Sequence, residues 1–311
     1  MKKQNVWALC LAGIACLISC TNEGEELLPG NTKFPMELTA VVKTESLTRA
    51  SADNVWTGDG TERISVSDGN KAAAYTIIDA AGGLVPAVES EQLYWASGTE
   101  AQEITAWYPA TAGNAQLENW SVQSDQSGMG YQQSDLLMGT ASVALQGNHV
   151  LPLQHQTAKM IVHLQGDGTT DADLEGAVLK INNVVLEGAL SGGSLKAKEG
   201  VASSSVIPRQ RDEALINYIA SFEALLIPQL VADKVLIEVS TQSGKSYKYT
   251  PTGNDGLLEG TAQNIYYVIV GKPGISVQVK KEGSQWGSDG DQTVNADSVS
   301  YTHLRAHETV L

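Results

Sequence analysis

The sequence predicts an all-β fold, and three observations support this prediction. Apolar residues alternate with polar residues along most of the chain, as expected for strands that bury one face. The 311-residue chain contains 30 glycines, and Gly, Asn, Asp and Ser separate the alternating stretches, where turns are expected. Only one short segment has the apolar spacing of a helix. Many short strands joined by such turns are typical of β-sandwiches and barrels.

The N-terminal residues have the features of a bacterial lipoprotein signal peptide. Two lysines precede an apolar stretch at 6–18, which at ~13 residues is too short to span a bilayer. The stretch is followed by Ser19-Cys20, where the small serine permits cleavage just before the cysteine. We therefore predict that residues 1–19 are removed and that lipid is attached to Cys20.

Cysteine usage agrees with acylation. Cys10 and Cys16 lie in the predicted signal peptide, so the mature protein would keep Cys20 alone and could form no internal disulfide. An exported protein with one thiol at its first residue is better explained by acylation than by a missing partner. Several acyl chains on one cysteine would anchor it permanently. The alternative is an ordinary secretory signal with an incidental cysteine.

The acidic charge of the chain restricts its partners. The formal net charge is −15, and removal of the two lysines in the signal peptide would make it −17. Such a charge argues against nucleic acids and anionic membrane surfaces as partners. Residues 20–32 form an acidic tether that is expected to be solvated. Its beginning, 21–26, resembles the surface-export signal of Bacteroidetes lipoproteins, and a generic linker is the alternative.

Alternation predicts strands along the whole mature chain. The inward positions of these strands are, in chain order, Met36, Leu38, Ala40 and Val42; Ile64 and Val66; Ile104, Ala106 and Tyr108; Met160, Val162 and Leu164; Val235, Ile237 and Val239; and Ile275, Val277 and Val279. A turn at 242–245, followed by Tyr247 and Tyr249, predicts a hairpin. The continuous apolar run 266–270 predicts a strand buried on both faces.

One segment has helical spacing instead. Leu215, Tyr218, Ile219 and Phe222 allow a short helix near 212–221. Pro228 would end this helix at the latest.

The chain is long enough for about two domains. No linker separates them, and we place the boundary near residue 157, after a polar stretch. The strands of 33–157 would form one sandwich and those of 158–297 a second. Residues 298–311 have neither strand alternation nor Gly-rich turns and resemble translated sequencing-adapter read-through. We therefore exclude them as a non-native tail.

No catalytic signature is present, and we predict that the protein is not an enzyme. The sequence lacks a nucleophile elbow, a zinc-protease motif, a phosphate-binding glycine loop and a Cys-x-x-Cys pair. His155 and His163 are eight residues apart, but their neighbours are Gln and Lys rather than further metal ligands. We therefore predict neither a metal nor a cofactor.

Acidic residues in two Gly-containing loops are predicted to be solvated turns. Neither loop has the complete spacing of a calcium-binding loop. The residues concerned are Asp167, Asp171, Asp173, Glu175, Asp289 and Asp291.

Four tryptophans of the N-terminal half allow two interpretations. Exposed aromatic rings stack on sugars, whereas tryptophans of a sandwich usually lie in the core. Burial is the simpler interpretation, and a carbohydrate platform is the alternative. The residues are Trp56, Trp95, Trp107 and Trp120.

Several segments, in this order, resemble the fimbrillin family, the lipoprotein-derived pilus subunits of Bacteroidetes. The resemblance covers about residues 30–297, although Leu153 stands where the family commonly has Phe. The similar segments are Trp56-Thr57-Gly58-Asp59 with Ile64-Ser65-Val66, Asp135-Leu136-Leu137-Met138, the stretch from Val150 to Lys159 with His155 and Ala158, Leu226-Ile227-Pro228-Gln229, Tyr247-Lys248-Tyr249, and Trp286.

The resemblance implies two transthyretin-like β-sandwich domains in tandem and a structural, adhesive role. It also implies cleavage by an Arg-specific protease after the first strand, a position that Arg49-Ala50 fits in a small, polar loop. The alternative is that Arg49 is an exposed arginine without a role in processing. Cutting there would free the strand Phe34–Val42, which contributes Met36, Leu38, Ala40 and Val42, together with the lipidated tether. Loss of these apolar side chains would leave a groove.

A strand of another subunit would then fill this groove by β-augmentation, and head-to-tail joining would build a filament. The donor is expected in the C-terminal segment, either at Ile275, Val277 and Val279 or in a strand after Trp286. The partners would be other fimbrial subunits and, through the lipid on Cys20, the outer membrane.

Two functions remain open at this point. The first is a surface-exposed fimbrial subunit that polymerises after cleavage at Arg49, with a host or bacterial surface glycan or protein as adhesive partner. The second is a monomeric surface lipoprotein that binds glycan through its tryptophans.

Overall fold

β-Strands make up most of the regular structure in the computed structural model, which describes residues 33–43, 56–111, 113, 115–272 and 274–282. Among these residues, no helix has the length and apolar character needed to cross a membrane. The following predicted features lie outside the described residues: the signal peptide and tether with Cys20, the cleavage position Arg49-Ala50, Trp286, Asp289, Asp291 and the tail.

The described strands up to residue 155 are β1 (Thr39–Val42), β2 (Arg63–Ser67), β3 (Ala72–Ile77), β4 (Leu84–Pro86), β5 (Gln102–Tyr108), β6 (Asn119–Ser121), β7 (Leu137–Val143) and β8 (Val150–His155). A 3-10 turn, Glu89–Glu91, follows β4, and the short helix α1 (Gly130–Gln133) precedes β7.

The strands after residue 157 are β9 (Ala158–Gly166), β10 (Val178–Val184), β11 (Glu187–Ser191), β12 (Ser194–Ala197), β13 (Ser204–Val206), β14 (Arg209–Gln210), β15 (Ala220–Leu226), β16 (Gln229–Leu230), β17 (Ile237–Ser240), β18 (Ser246–Tyr249), β19 (Leu257–Leu258), β20 (Gln263–Gly271) and β21 (Gly274–Glu282). The short helix α2 (Asp171–Leu174) follows β9, and a 3-10 turn, Gly253–Gly256, precedes β19.

These strands form several sheets. A seven-stranded sheet has the order β1-β8-β7-β5-β2-β3-β4, and a five-stranded sheet has the order β14-β15-β9-β20-β21. A four-stranded sheet, β13-β10-β17-β18, shares a buried cluster with the five-stranded sheet. Smaller sheets are β12-β11-β6, which combines strands from both halves of the chain, and β16-β19.

The hydrophobic core has two main clusters. One is built from residues between Met36 and Leu153, and the other from residues between Ala158 and Ile275. A third cluster joins the two halves and contains Trp107, Leu136 and Ile227. The described residues from Phe34 onward belong to one compact unit. The division into domains at 33–157 and 158–297 therefore stays a prediction.

The all-β prediction is confirmed, and so are individual strands. The predicted hairpin forms from β17 and β18, with Ile237 opposite Tyr249. Its turn contains Gly244 at φ +84°, a conformation that glycine adopts without a steric penalty.

The predicted strand buried on both faces is β20, which pairs with β9 and β21. Tyr266, Val268 and Val270 lie in the C-terminal core cluster, and Ile265 and Tyr267 lie in a smaller cluster on the other face.

The helix allowed near 212–221 is wrong. Residues 211–219 form turns, with Asn217 at φ +72°, and the chain then enters β15, which is buried throughout and pairs with β9. Leu215 and Tyr218 pack against the outer side of the five-stranded sheet. Their spacing therefore reflects a loop that covers a sheet rather than one face of a helix.

Candidate functional site

The most distinctive site is the place that the first strand occupies. Segment 34–43, which contains β1, lies between β8 on one side and residues 82–84 and 93–95 on the other. We call this space the first-strand slot. In the seven-stranded sheet, β1 and β4 are the two outermost strands. The segment pairs with β8 on one edge and accepts a hydrogen bond from Leu84, the first residue of β4, on the other, so it joins the two ends of the sheet.

Both edges of the segment are hydrogen-bonded. On the β8 side, the N–H of Thr39 donates to His149 O at 3.0 Å, in a parallel pairing that aligns Thr39 with Val150. On the other side, the N–H of Ala40 donates to Gly82 O at 2.9 Å, and the N–H of Met36 donates to Leu93 O at 2.9 Å. The segment is therefore a two-sided strand rather than a loosely attached edge.

The inward side chains of the segment are buried as predicted. Met36 is 2% exposed, Leu38 3% and Ala40 0%, and all three belong to the N-terminal core cluster. Val42 is half-buried against the same cluster, whereas Glu37 on the outer side is exposed. At ~1.5–3 kcal/mol for each large apolar side chain, this burial contributes substantially to the stability of the N-terminal half.

Two side chains of the slot hold the backbone of the first strand. The indole Nε1 of Trp56 donates to Ala40 O at 2.8 Å, and the amide Nε2 of Gln92 donates to Met36 O at 3.2 Å. Both donors contact main-chain carbonyls, so they hold a strand without recognising its side chains. Trp56 is therefore a core residue that also clamps the first strand.

Gly82 allows its own backbone to come close to the backbone of the first strand at Ala40. It has φ +88°, and a Cβ atom there would lie 1.8 Å from Ala40 O and 3.1 Å from the indole nitrogen of Trp56. Only glycine fits where two backbones come this close in a left-handed conformation.

The aromatic side chains of the slot region are neutral. Burial raises the pKa of Tyr75, whose hydroxyl accepts hydrogen bonds from the N–H of Leu93 and the amide of Gln92. Burial, with a smaller effect of the Glu62 carboxylate, raises the pKa of Tyr108, whose ring packs edge-on against Trp56 at 5.4 Å. Both tyrosines therefore remain uncharged at physiological pH.

Replacing Trp56 with phenylalanine is expected to lower the free energy of unfolding by about 1–2 kcal/mol, because the buried Ala40 carbonyl loses its donor. Hydrogen exchange at the amides of 39–43 should become faster. Trp120→Phe is the matched control, because its Nε1 donates to Ser134 O at 3.1 Å, away from the slot. Equal acceleration at 39–43 in both variants would contradict the clamp.

The motif around His155 and Lys159 forms polar contacts where the two halves meet. Nδ1 of His155 lies 2.8 Å from Asp135 Oδ1. Nζ of Lys159 lies 3.4 Å from Glu223 Oε2, and Nε of Arg209 donates to the other oxygen of the same carboxylate at 2.8 Å. The side chains of Lys159 and Glu223 are both nearly inaccessible to solvent, at 3% and 5% exposure.

The remaining motif residues also have structural positions. Ile227 lies in the cluster between the halves. The side chain of Gln229 accepts from the N–H of Val185 at 2.8 Å and donates to Val185 O at 3.0 Å. These residues stabilise the fold and lie apart from the slot.

The candidate donor residues lie in the sheet of the C-terminal half. Ile275, Val277 and Val279 belong to β21, which pairs antiparallel with β20 over nine residues. Ile275 is buried, and the two valines pack against the C-terminal core. The structure thus places this strand at an edge of its own sheet.

The carbohydrate platform of tryptophans is wrong. Trp56, Trp95 and Trp107 are only 6%, 8% and 0% exposed, and Trp120 is half-buried against the third cluster. The rings of Trp56, Trp95 and Trp107 fill the core, as the simpler interpretation predicts, and leave no face for stacking on a sugar.

The acidic residues of the described loop accept hydrogen bonds from within the loop and from the turn that contains Ser243. Asp167 accepts from the N–H and hydroxyl of Thr169, which lowers its pKa, and Asp173 accepts from the N–H and hydroxyl of Ser243. In the part of the chain that the structure describes, no group of three or more His, Cys, Asp or Glu side chains is arranged to bind a metal ion.

The alternation of apolar residues gives no indication of the roles of Gly82, Gln92 and Glu223. The Gly82-Gly83 pair was a signal for close backbone approach. Nothing in the sequence marked Gln92 or Glu223, because their roles depend on contacts with residues 56 and 64 positions away, respectively.

Comparisons with known proteins identify the family of this chain. Residues 48–286 match the model of the fimbrillin-like family. The chain is 24% identical over 331 residues to a protein of Bacteroides uniformis described as a candidate fimbrium subunit, Fim1C, an alignment that covers 96% of this chain and 100% of the relative.

Two crystal structures of candidate cell adhesion proteins share the fold. One, from Bacteroides ovatus, has a TM-score of 0.63 and 18% identity, and the alignment covers 83% of this chain and 100% of that chain. The other, from Bacteroides uniformis, has a TM-score of 0.60 and 18% identity, with 81% and 99% covered.

Proposed function

Because this chain belongs to the fimbrillin-like family, we propose that it is a fimbrial subunit that polymerises by exchange of its first strand. Family and relatives are fimbrial and cell adhesion proteins rather than enzymes. In general terms, its function is therefore that of a fimbrial or adhesive surface protein. The finer steps, export as a lipoprotein, cleavage and strand exchange, form the proposal.

The observation that supports strand exchange is the two-sided pairing of segment 34–43. If the segment leaves, the backbone of β8 and that of residues 82–84 both lose hydrogen-bonding partners. The cleft left by Met36, Leu38 and Ala40 also becomes exposed to water. Unpaired strand edges and exposed apolar surface both favour a replacement strand.

Arg49 lies close enough to the first strand in the sequence for a cut after it to release that strand. The proposed cut follows seven residues after the last residue of β1, Val42. A cut there separates the strand from the rest of the fold without breaking any described strand. Strand, tether and the lipid on Cys20 would then leave together, while an uncut subunit would remain anchored to the outer membrane.

The donor in this proposal comes from the C-terminal segment of a neighbouring subunit. Head-to-tail joining of this kind does not close and extends into a filament. Other fimbrial subunits are therefore the proposed partners. The glycan-binding alternative has lost its main support, since its tryptophans are buried.

Treatment of the purified chain with an Arg-specific protease is expected to produce a new N-terminus at Ala50 and, with it, polymers on size-exclusion chromatography. Arg49→Ala should abolish both, because no cut would release the strand. Arg63→Ala is the matched control and should behave like the unchanged protein, since Arg63 lies within β2. Polymers formed by Arg49→Ala would contradict the proposal.

The N-terminus in assembled fimbriae identifies the role of the subunit. A start at Ala50 indicates a stalk or tip subunit. A blocked, acylated start at Cys20 indicates the membrane anchor. Lipid labelling that persists in Cys20→Ala would contradict the lipoprotein step.

A further inference from the structure

We propose that the first-strand slot selects its occupant by residue size at the position of Ala40. It accepts a strand of another subunit that carries Gly, Ala or Ser there, with large apolar residues two and four positions earlier. This inference rests on the proposed strand exchange and names the kind of partner that the slot fits.

Backbone contacts alone do not determine the register of an incoming strand. The N–H groups of Met36 and Ala40 donate toward one side of the slot, and those of Thr39 and Lys43 donate toward β8. A shift by two residues leaves this alternation unchanged, because a strand repeats every second residue. Trp56 and Gln92 donate to main-chain carbonyl oxygens, which every residue has, so their hydrogen bonds tolerate such a shift as well.

Side-chain size is therefore left to determine the register, and the Ala40 position is the narrow one. Ala40 is 0% exposed, and its partner on β8 is Leu151, also 0% exposed. On the opposite edge, the indole nitrogen of Trp56 lies 2.8 Å from Ala40 O and the backbone of Gly82 approaches the same atom, while the Ala40 side chain belongs to the N-terminal core cluster. A larger side chain at this position would overpack a closed core.

The Ala40 backbone adds a second requirement. Its N–H donates to Gly82 O at 2.9 Å, and proline has no N–H to donate. A suitable strand therefore has the inward pattern large, large, small, with no proline at the small position.

Strand β21 does not have this pattern. If Ile275 takes the place of Met36, then Val279 takes the place of Ala40, and a shift by two residues brings Val277 there instead. Both are β-branched and larger than alanine. Removal of β21 would also break its nine-residue pairing with β20. The slot therefore favours a donor other than Ile275–Lys280.

A strand-exchange assay on the full chain, cut after Arg49, tests this selection. A fluorescent peptide of residues 33–43 should replace the resident strand, as measured by anisotropy. The Ala40→Leu peptide should bind at least about tenfold more weakly, as overpacking predicts. The Ala40→Gly peptide should lose only about two- to fivefold, the usual effect of glycine in a strand.

The Glu37→Leu peptide is the matched control, because it adds a leucine on the exposed side of the same strand. It should bind like the unchanged peptide. Equal binding of the Ala40→Leu peptide would overturn size selection while leaving strand exchange intact. Failure of the unchanged peptide to exchange would overturn both strand exchange and the selection that rests on it.

Discussion

Gly82→Ala is expected to lower the free energy of unfolding by about 3–5 kcal/mol, a large part of the stability of a typical domain. Two effects combine in this variant. Alanine is strained at φ +88°, which costs about 1–3 kcal/mol. The new Cβ would also lie 1.8 Å from Ala40 O, and a backbone atom cannot move away without displacing the first strand.

Chemical denaturation measures the total loss, and Gly69→Ala separates its two causes. Gly69 has φ +86°, and a Cβ atom there would meet nothing within 4 Å. Gly69→Ala therefore introduces backbone strain but no steric clash, and we expect it to lower the free energy of unfolding by about 1–2 kcal/mol. Faster hydrogen exchange at 39–42 should accompany Gly82→Ala alone. Equal losses in the two variants would show that the close approach at the slot has no energetic role.

Glu223→Gln is expected to destabilise the protein by about 3–5 kcal/mol, because it removes the buried negative charge that Lys159 and Arg209 share. Lys159 approaches one carboxylate oxygen at 3.4 Å, and Arg209 donates to the other. The substitution preserves the shape of the side chain, so the loss reports on charge rather than on a cavity. The long stem of Lys159 cannot take its ammonium group into water while the fold stays intact, since the residue is 3% exposed.

Glu238→Gln is the control for this effect in the same half of the chain. Glu238 lies 3.5 Å from Lys248, and the two side chains are 25% and 55% exposed. Because water already solvates this pair, we expect a loss below about 1 kcal/mol. Thermal and urea denaturation of both variants provide the comparison. Similar small losses would mean that the group at Glu223 is well solvated, contrary to its position in the fold.

The location of Glu223 explains how the Ala158-Lys159 motif can place a charged lysine in a buried strand. Lys159 is on β9, and Glu223 is on the neighbouring β15. Arg209 also lies 3.8 Å above the ring of Tyr131, from the N-terminal half. The charges therefore help to hold the two halves together in one arrangement, and their substitution affects that contact as well as the sheet.

Local patterns in the sequence were enough to predict eight of the 21 described strands and the inward residues of the first strand. Met36, Leu38 and Ala40 are buried because a strand repeats every two residues, and this period is visible in any short stretch of sequence. The hairpin of β17 and β18 was equally predictable, since its turn residues lie between the two strands that they join. Helical spacing at 215–222 failed because the packing of a loop on a sheet can imitate one face of a helix.

The sequence by itself determined the all-β class, the fimbrillin-like motifs and the inward face of segment 34–43. Only the tertiary structure decided that this segment is hydrogen-bonded on both edges, that Trp56 clamps Ala40, and that Gly82 must be glycine. Local periodicity depends on adjacent residues, whereas these contacts join residues 16 to 111 positions apart. The indole of Trp56 is 16 positions from Ala40, and Val42 is 111 positions from its β8 partner Leu153. No local pattern encodes such a distance, because the fold brings these residues together only when the whole sheet has formed.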